Sequence, residues 1–128
     1  GTCLKIHGRV ERSKAVDYIK NSDYSLLIRD ENLRYAKAGF PTKIVESLAC
    51  GTPPLCNYSS DLELYLEDKK NSIIANGHTS RDVYEAVKKA LLITNENDRS
   101  LMRENSRKLA LSSFDYSVYK DILSSICK

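Results

Sequence analysis

Residues 38–54, with the sequence AGFPTKIVESLACGTPP, decide the fold of this chain. An apolar run at residues 24–28 (YSLLI) precedes them and predicts a buried strand, and Thr42 opens an amphipathic segment that ends at Gly51. A strand, a glycine-bearing loop and a helix start therefore follow one another. This arrangement offers free backbone N–H groups and the positive end of a helix dipole to an anion.

A carboxylate accompanies this predicted anion site. Glu46 lies one turn inside the helix, where it can accept hydrogen bonds from neighbouring hydroxyl groups. Taken alone, a helix glutamate is more often a solvated surface residue, and Gly39 and Pro41 are equally well explained as loop punctuation. Residues 38–54 taken together favour a binding site instead, because backbone donors for a phosphate beside a carboxylate that accepts from a diol suit a nucleoside diphosphate sugar.

Composition excludes several classes of protein. The 128 residues predict a single domain over residues 1–128, and the 20 basic residues are interleaved with 17 acidic ones for a formal charge of +3. Because no basic stripe is present, we expect a solvated mixed-charge surface and no nucleic-acid partner. The apolar runs are only a few residues long, far short of a membrane span, and no signal peptide is visible at the start.

The cysteines and histidines predict no metal centre. The four cysteines, which share no CxxC spacing, are Cys3, Cys50, Cys56 and Cys127. We therefore expect neither a disulfide framework nor a metal site. Unpaired cysteines also predict a reducing, cytoplasmic location. We expect His7 to be packed or exposed rather than catalytic, and His78, in a loop beside Gly77, to be solvated.

Short strand patterns alternate with helical ones along the chain. The predicted strands are residues 3–8, 23–29, 55–58 and 72–75, and the predicted helices are residues 13–21, 42–50, 60–67 (opened by a capping box), 79–93, 98–112 and 116–126. In the helix at 79–93 we expect the core-facing residues to be Val83, Ala86, Val87, Ala90 and Leu91. The alternation predicts an α/β fold, with a Rossmann-like parallel sheet and helices on both faces. Four strands make a thin sheet and the only methionine is Met102, so we expect this chain to be a piece that lacks upstream strands.

The segment from Asp23 to Ala75 resembles the C-terminal, donor-binding domain of family 4 (group 1) glycosyltransferases. The block GFPTKIVESLACGTP at residues 39–53 carries most of the resemblance, and residues 22–29, 57–61 and 68–74 extend it. The resemblance implies the GT-B architecture, in which two Rossmann-like domains face each other across a cleft. It also implies a retaining enzyme of polysaccharide biosynthesis, which moves a sugar from a nucleoside diphosphate sugar to a saccharide or lipid-linked acceptor.

The resemblance also implies roles for individual residues. Glu46 would accept hydrogen bonds from the ribose hydroxyls, and the diphosphate would lie over the turn and helix start formed by Gly39, Phe40, Thr42 and Lys43. Pro41 belongs to the same turn but has no N–H to donate. We expect no cofactor besides the donor substrate. Arg29 ends a predicted parallel strand, where α/β sheets bind ligands, and it either reaches the donor or orders the loop that follows.

Two departures from the family pattern limit these expectations. Ala38 stands where the family has a first glutamate, which contacts the donor sugar. Three parts of the active site would lie upstream: the basic residues that clamp the diphosphate, the acceptor domain and the catalytic residues. We therefore expect this chain alone to be inactive. We also expect it to self-associate, through a sheet edge or the apolar face that the missing upstream strands would cover. Through its parent protein it would lie in the cytoplasm, or at the inner face of the membrane. Two alternatives stay open: a non-catalytic nucleotide-binding or interaction module, and a nucleotide-sugar epimerase of GT-B type.

Overall fold

A computed structural model describes residues 4–33 and 41–114 of the chain as an α/β fold. Its elements are α1 (Arg12–Lys20), β1 (Ser25–Leu27), α2 (Thr42–Ala49), β2 (Pro54–Asn57), a 3₁₀ turn (Leu62–Leu64), β3 (Ile73–Ala75), α3 (Ser80–Leu91) and α4 (Glu96–Ser113). The strands form one parallel sheet in the order β1-β2-β3, with Leu26 opposite Leu55 and Leu55 opposite Ile73. The predicted Rossmann-like parallel sheet is therefore confirmed.

Helix α2 is short, amphipathic and firmly terminated. Its buried face carries Ile44, Val45, Leu48 and Ala49. At its end the N–H of Gly51 donates to Leu48 O at 3.0 Å and the N–H of Thr52 donates to Ser47 O at 2.9 Å, the two bonds of a Schellman motif. Gly51 adopts φ +69°, which a glycine tolerates without strain, and Pro53 then prevents further helix.

The alternating side chains of the strands fill two separate cores. On one face Cys56 and Ile74 pack with Ile44 and Leu48 of α2, and Val16 and Ile19 of α1 and Leu109 of α4 border this cluster. On the other face the cluster comprises Leu55, Ile73, Ala75, Ala86, Ala90 and Met102, from the sheet, α3 and α4. Helices therefore cover both faces, as the sequence predicts.

Two predicted elements differ in the structure. Residues 4–8 form no strand, and Leu4 and Ile6 are 74% and 83% exposed, because no other strand in the described residues lies beside them. The helix predicted at 60–67 is only a 3₁₀ turn at Leu62–Leu64, since Ser60 adopts φ +54° and so does not take the extended conformation of a capping residue.

Helix α3 is capped as its sequence indicates but is less buried than predicted. Thr79 and Asp82 form a reciprocal capping box. Ala86 and Ala90 face the core, whereas Val87 and Leu91 are 38% and 71% exposed. Val87 and Leu91 line a cleft together with Tyr24 and Leu55. The helix predicted at 116–126 lies outside the described residues. No helix within residues 4–33 and 41–114 is long and apolar enough to span a membrane.

Candidate functional site

The carboxyl ends of the three parallel strands gather most of the polar residues of interest. Residues 28–31 follow β1, Asn57 ends β2, and residues 76–79 follow β3. Helices α2 and α3 also begin at this edge, because each follows a strand of the parallel sheet. This edge is where open α/β sheets bind their ligands.

The start of α2 presents a helix N-terminus to solvent. Thr42 and Lys43 are exposed, while Ile44 directly after them is buried and anchors the first turn. Pro41, the residue before the helix, is extended (φ −72°, ψ 117°) and its side chain makes no capping hydrogen bond. The N–H groups of Thr42 and Lys43 precede the first possible helical hydrogen bonds, so they are the donors available to an anion.

Glu46 is held close to this helix start. Its side chain is only 14% exposed, and Arg12 Nη1 of α1 lies 3.7 Å from Glu46 Oε1. Arg12 itself is 67% exposed, so the ion pair is loose and contributes little to stability. The sequence reasoning did not single out Arg12, because only the packing of α1 beside α2 brings it here.

The side chain of Asn57 organises the loop after β1. This amide is buried; its Oδ1 accepts from the Arg29 N–H at 3.0 Å, and its Nδ2 donates to Arg29 O at 2.6 Å. The same Nδ2 donates to Glu31 Oε2 at 3.0 Å. The backbone of Arg29 is thus tied to the end of β2, and both roles predicted for Arg29, contact with a donor and ordering of the long loop, stay predictions.

His78 joins the loop after β3 to the loop after β1. Its Nδ1 lies 3.0 Å from Glu31 Oε2, and its Nε2 lies 3.8 Å from Asp30 Oδ2. The hydrogen bond to Glu31 is the main cause that raises the pKa of His78 above its ordinary 6.5, and burial opposes it. The pKa of Glu31 is lowered, first by its own backbone N–H and then by His78. His78 is exposed, as the sequence predicts, and it also contacts Glu31, which the sequence does not predict.

Asp30, Glu31 and His78 also carry the atom types that bind divalent cations, and one such atom of each lies within 4.8 Å of the others. The prediction that the chain has no metal site is not decided by this proximity. The sequence signal for this group is positional, since Asp30 and Glu31 directly follow the strand predicted at residues 23–29, and His78 lies three residues after the strand predicted at residues 72–75.

Ser59 is a further polar residue beyond the end of β2. It is 6% exposed, and its hydroxyl has no hydrogen-bond partner in the described part of the chain. Because a buried hydroxyl without a partner destabilises the folded state, we expect that substitution of Ser59 by alanine does not lower the free energy of unfolding.

Part of the predicted site lies outside the described residues, namely Ala38, Gly39 and Phe40. Of the predicted donor-binding residues, Thr42, Lys43 and Glu46 share one helix start, and Arg29 lies after β1 at the same edge of the sheet. Cys50 and Cys56 are buried free thiols, and burial raises the pKa of Cys56 to about 12, so this cysteine is chemically inert.

The structure defines an α/β fold in which one edge of the parallel sheet gathers an exposed helix start and a group of polar and charged side chains. The model of the glycosyl transferase-like family matches residues 3–119, and the chain belongs to that family. The resemblance found in the sequence is thus confirmed at the level of the family. Comparison with curated proteins and with solved structures gave no significant match.

Proposed function

We propose that this chain is the donor-binding domain of a retaining glycosyltransferase of GT-B architecture. The parent enzyme would move a sugar from a nucleoside diphosphate sugar to a saccharide or lipid-linked acceptor, and a second, N-terminal domain would bind that acceptor. Membership of the glycosyl transferase-like family supports the transferase class. The finer assignment rests on the site.

The observation that carries the proposal is the position of Glu46 beside the exposed start of α2. The helix start supplies N–H donors for a diphosphate, and the Thr42 hydroxyl and Lys43 ammonium add polar groups on the same turn. Glu46 is largely buried and paired only loosely, so its carboxylate is held in place yet can exchange Arg12 for a ribose diol. One short helix therefore offers both halves of a nucleotide-binding site.

Calorimetry with a panel of nucleoside diphosphates and their sugar derivatives tests this assignment. Glu46→Gln keeps the size of the side chain and removes its charge, so we expect a loss of about 1.5–3 kcal/mol in binding, the value of a hydrogen bond to a charged group. Lys43→Ala should cost less and mainly reduce the salt dependence, because an exposed ion pair is screened.

A matched control is available on α3. Glu85 is an exposed helix glutamate on a different helix, so Glu85→Gln changes the net charge equally without touching the site. Its binding should equal that of the parent chain. If Glu46→Gln also binds like the parent chain, the ribose assignment is wrong.

A second candidate function is a non-catalytic nucleotide-binding or interaction module on the same fold. Ala38 favours it, because the family glutamate that contacts the donor sugar is missing there. Ala38→Glu distinguishes the two. A gain in affinity for the nucleotide sugar, with the diphosphate affinity unchanged, would indicate a defective sugar site in a glycosyltransferase. No gain would favour the module. Epimerisation of the nucleotide sugar without any acceptor would instead indicate a GT-B epimerase.

A further inference from the structure

Helices α1 and α2 lie side by side and begin at the same edge of the sheet. α1 leads into β1, so it begins at the carboxyl edge of the strands, where α2 also begins. The Thr52 hydroxyl, just after α2, donates to Ile19 O in the last turn of α1 at 2.7 Å. Near the other ends of the helices, Arg12 Nη1 lies 3.7 Å from Glu46 Oε1. The Arg12 guanidinium is therefore only about one helical turn, or about 6 Å, from the level of Thr42 at the start of α2.

The ion pair joins an exposed cation to a nearly buried carboxylate. Arg12 is 67% exposed and Glu46 is 14% exposed. The distance of 3.7 Å is too long for a hydrogen bond, so the guanidinium is not fixed in this position. Among the described residues, Arg12 is the one basic side chain that pairs with Glu46. The carboxylate is therefore held in place, whereas the cation can change its partner.

A nucleotide would change the partners of both residues. The two hydroxyl groups of a ribose donate to the two oxygens of the Glu46 carboxylate, and Arg12 then loses its acceptor. Phosphate groups at the start of α2 bring new acceptors within one helical turn. The planar guanidinium fork suits phosphate oxygens better than an ammonium group does. A nucleoside diphosphate thus displaces Arg12 from one anion and offers it another.

We propose that Arg12 is a phosphate-binding residue, which leaves Glu46 for the diphosphate when a nucleotide binds. This inference rests on the proposed function, which assigns the ribose to Glu46 and the diphosphate to the start of α2. In the empty chain Arg12 competes with the ribose for Glu46, and in the complex it neutralises charge on the phosphates. The two halves of the ligand therefore respond to Arg12 with opposite signs.

The experiment measures the two halves of the ligand separately, at fixed pH and low salt. Inorganic pyrophosphate reports on the phosphate half, and uridine, guanosine and adenosine report on the ribose half. Nuclear magnetic resonance follows the amide signals of α2 during each titration. In Arg12→Gln the affinity for pyrophosphate should fall about threefold to tenfold, because one charge-assisted, partly exposed contact is lost. The affinity for the nucleoside that binds should instead rise, by up to about threefold, because a loose competitor is removed. A purely structural role of Arg12 would weaken both.

Three controls accompany Arg12→Gln. Lys14 is also exposed but lies two positions further along α1, on a different side of the helix, so Lys14→Gln removes the same charge and should leave both affinities close to those of the parent chain. Arg12→Lys keeps the charge without the planar fork and should bind pyrophosphate with intermediate affinity. The 2′-deoxy forms of the nucleosides lack the diol, so the gain in Arg12→Gln should disappear with them.

The outcomes separate this inference from the proposed function. If nucleosides bind but Arg12→Gln changes neither affinity, weakens both, or behaves like Lys14→Gln, the exchange is overturned and the proposed function stands. If no nucleoside or nucleoside diphosphate binds while pyrophosphate shows the expected loss, the proposed function fails and only the phosphate-binding role of Arg12 remains. If pyrophosphate does not bind either, both are overturned.

Discussion

Replacement of Asn57 by leucine should uncouple the loop after β1 from the sheet. Asn57 is 2% exposed and makes three hydrogen bonds, two with the backbone of Arg29 and one with the carboxylate of Glu31. Leucine has nearly the same shape but neither donates nor accepts. The Arg29 N–H and C=O then lose their partner at the end of the sheet.

The expected loss follows from these bonds. The two neutral bonds to the Arg29 backbone contribute about 1 kcal/mol each, so Asn57→Leu should lower the free energy of unfolding by about 2 kcal/mol. Urea unfolding measures this change from the midpoint at constant slope.

Asn71 provides the matched control. It is 5% exposed and also makes three hydrogen bonds, with Glu67 N–H, the Ser72 hydroxyl and Tyr65 O, but these lie in the segment before β3. Asn71→Leu should cost a similar free energy of unfolding. Only Asn57→Leu should lower the pKa of His78 toward its ordinary value, because Glu31 is then no longer held beside the ring. A loss below about 1 kcal/mol for Asn57→Leu, or an equal shift of His78 in both variants, would refute the reasoning.

Three further predictions concern other parts of the chain. Ser59→Ala should leave the free energy of unfolding unchanged or raise it by up to about 1 kcal/mol, because it removes a buried hydroxyl that has no partner in the described part of the chain. Ser106→Ala should lower it, because the Ser106 hydroxyl donates to the backbone carbonyls of Asn71 and Met102; equal losses on urea unfolding would mean that Ser59 has a partner. Gly51→Ala should destabilise by about 1–2 kcal/mol on urea unfolding, since φ is +69° and only the end of the flexible Arg107 side chain must move aside for the new Cβ. Gly8→Ala, with φ +68° and nothing within 4 Å, should cost a similar amount in the same assay, and a much larger loss for Gly51→Ala would contradict this reasoning. The chain should self-associate through the β1 edge of the sheet and its adjoining apolar face, where Leu26 is 61% exposed, and Leu26→Lys should reduce this association. Sedimentation of the parent chain as a strict monomer at high concentration would contradict the predicted self-association.

The sequence alone determines the elements whose signals are local. The helix at Thr42–Ala49 follows from its apolar period and from the Gly51-Thr52-Pro53 stop, and the parallel sheet follows from strands that alternate with helices. The family was likewise readable from the block at residues 39–53. The strand predicted at residues 3–8 is wrong for residues 4–8, because an alternating pattern forms a strand only beside another strand, and no strand of the described residues pairs with them.

Only the tertiary structure decides which polar residues meet at the edge of the sheet. Asp30 and Glu31 lie 47 to 48 positions before His78, and parallel pairing of three strands in register brings them together. Asn57 acquires its role in the same way, as does Arg12 beside Glu46. Side-chain contacts between distant segments depend on strand order and helix packing, and no periodicity within a single segment encodes these.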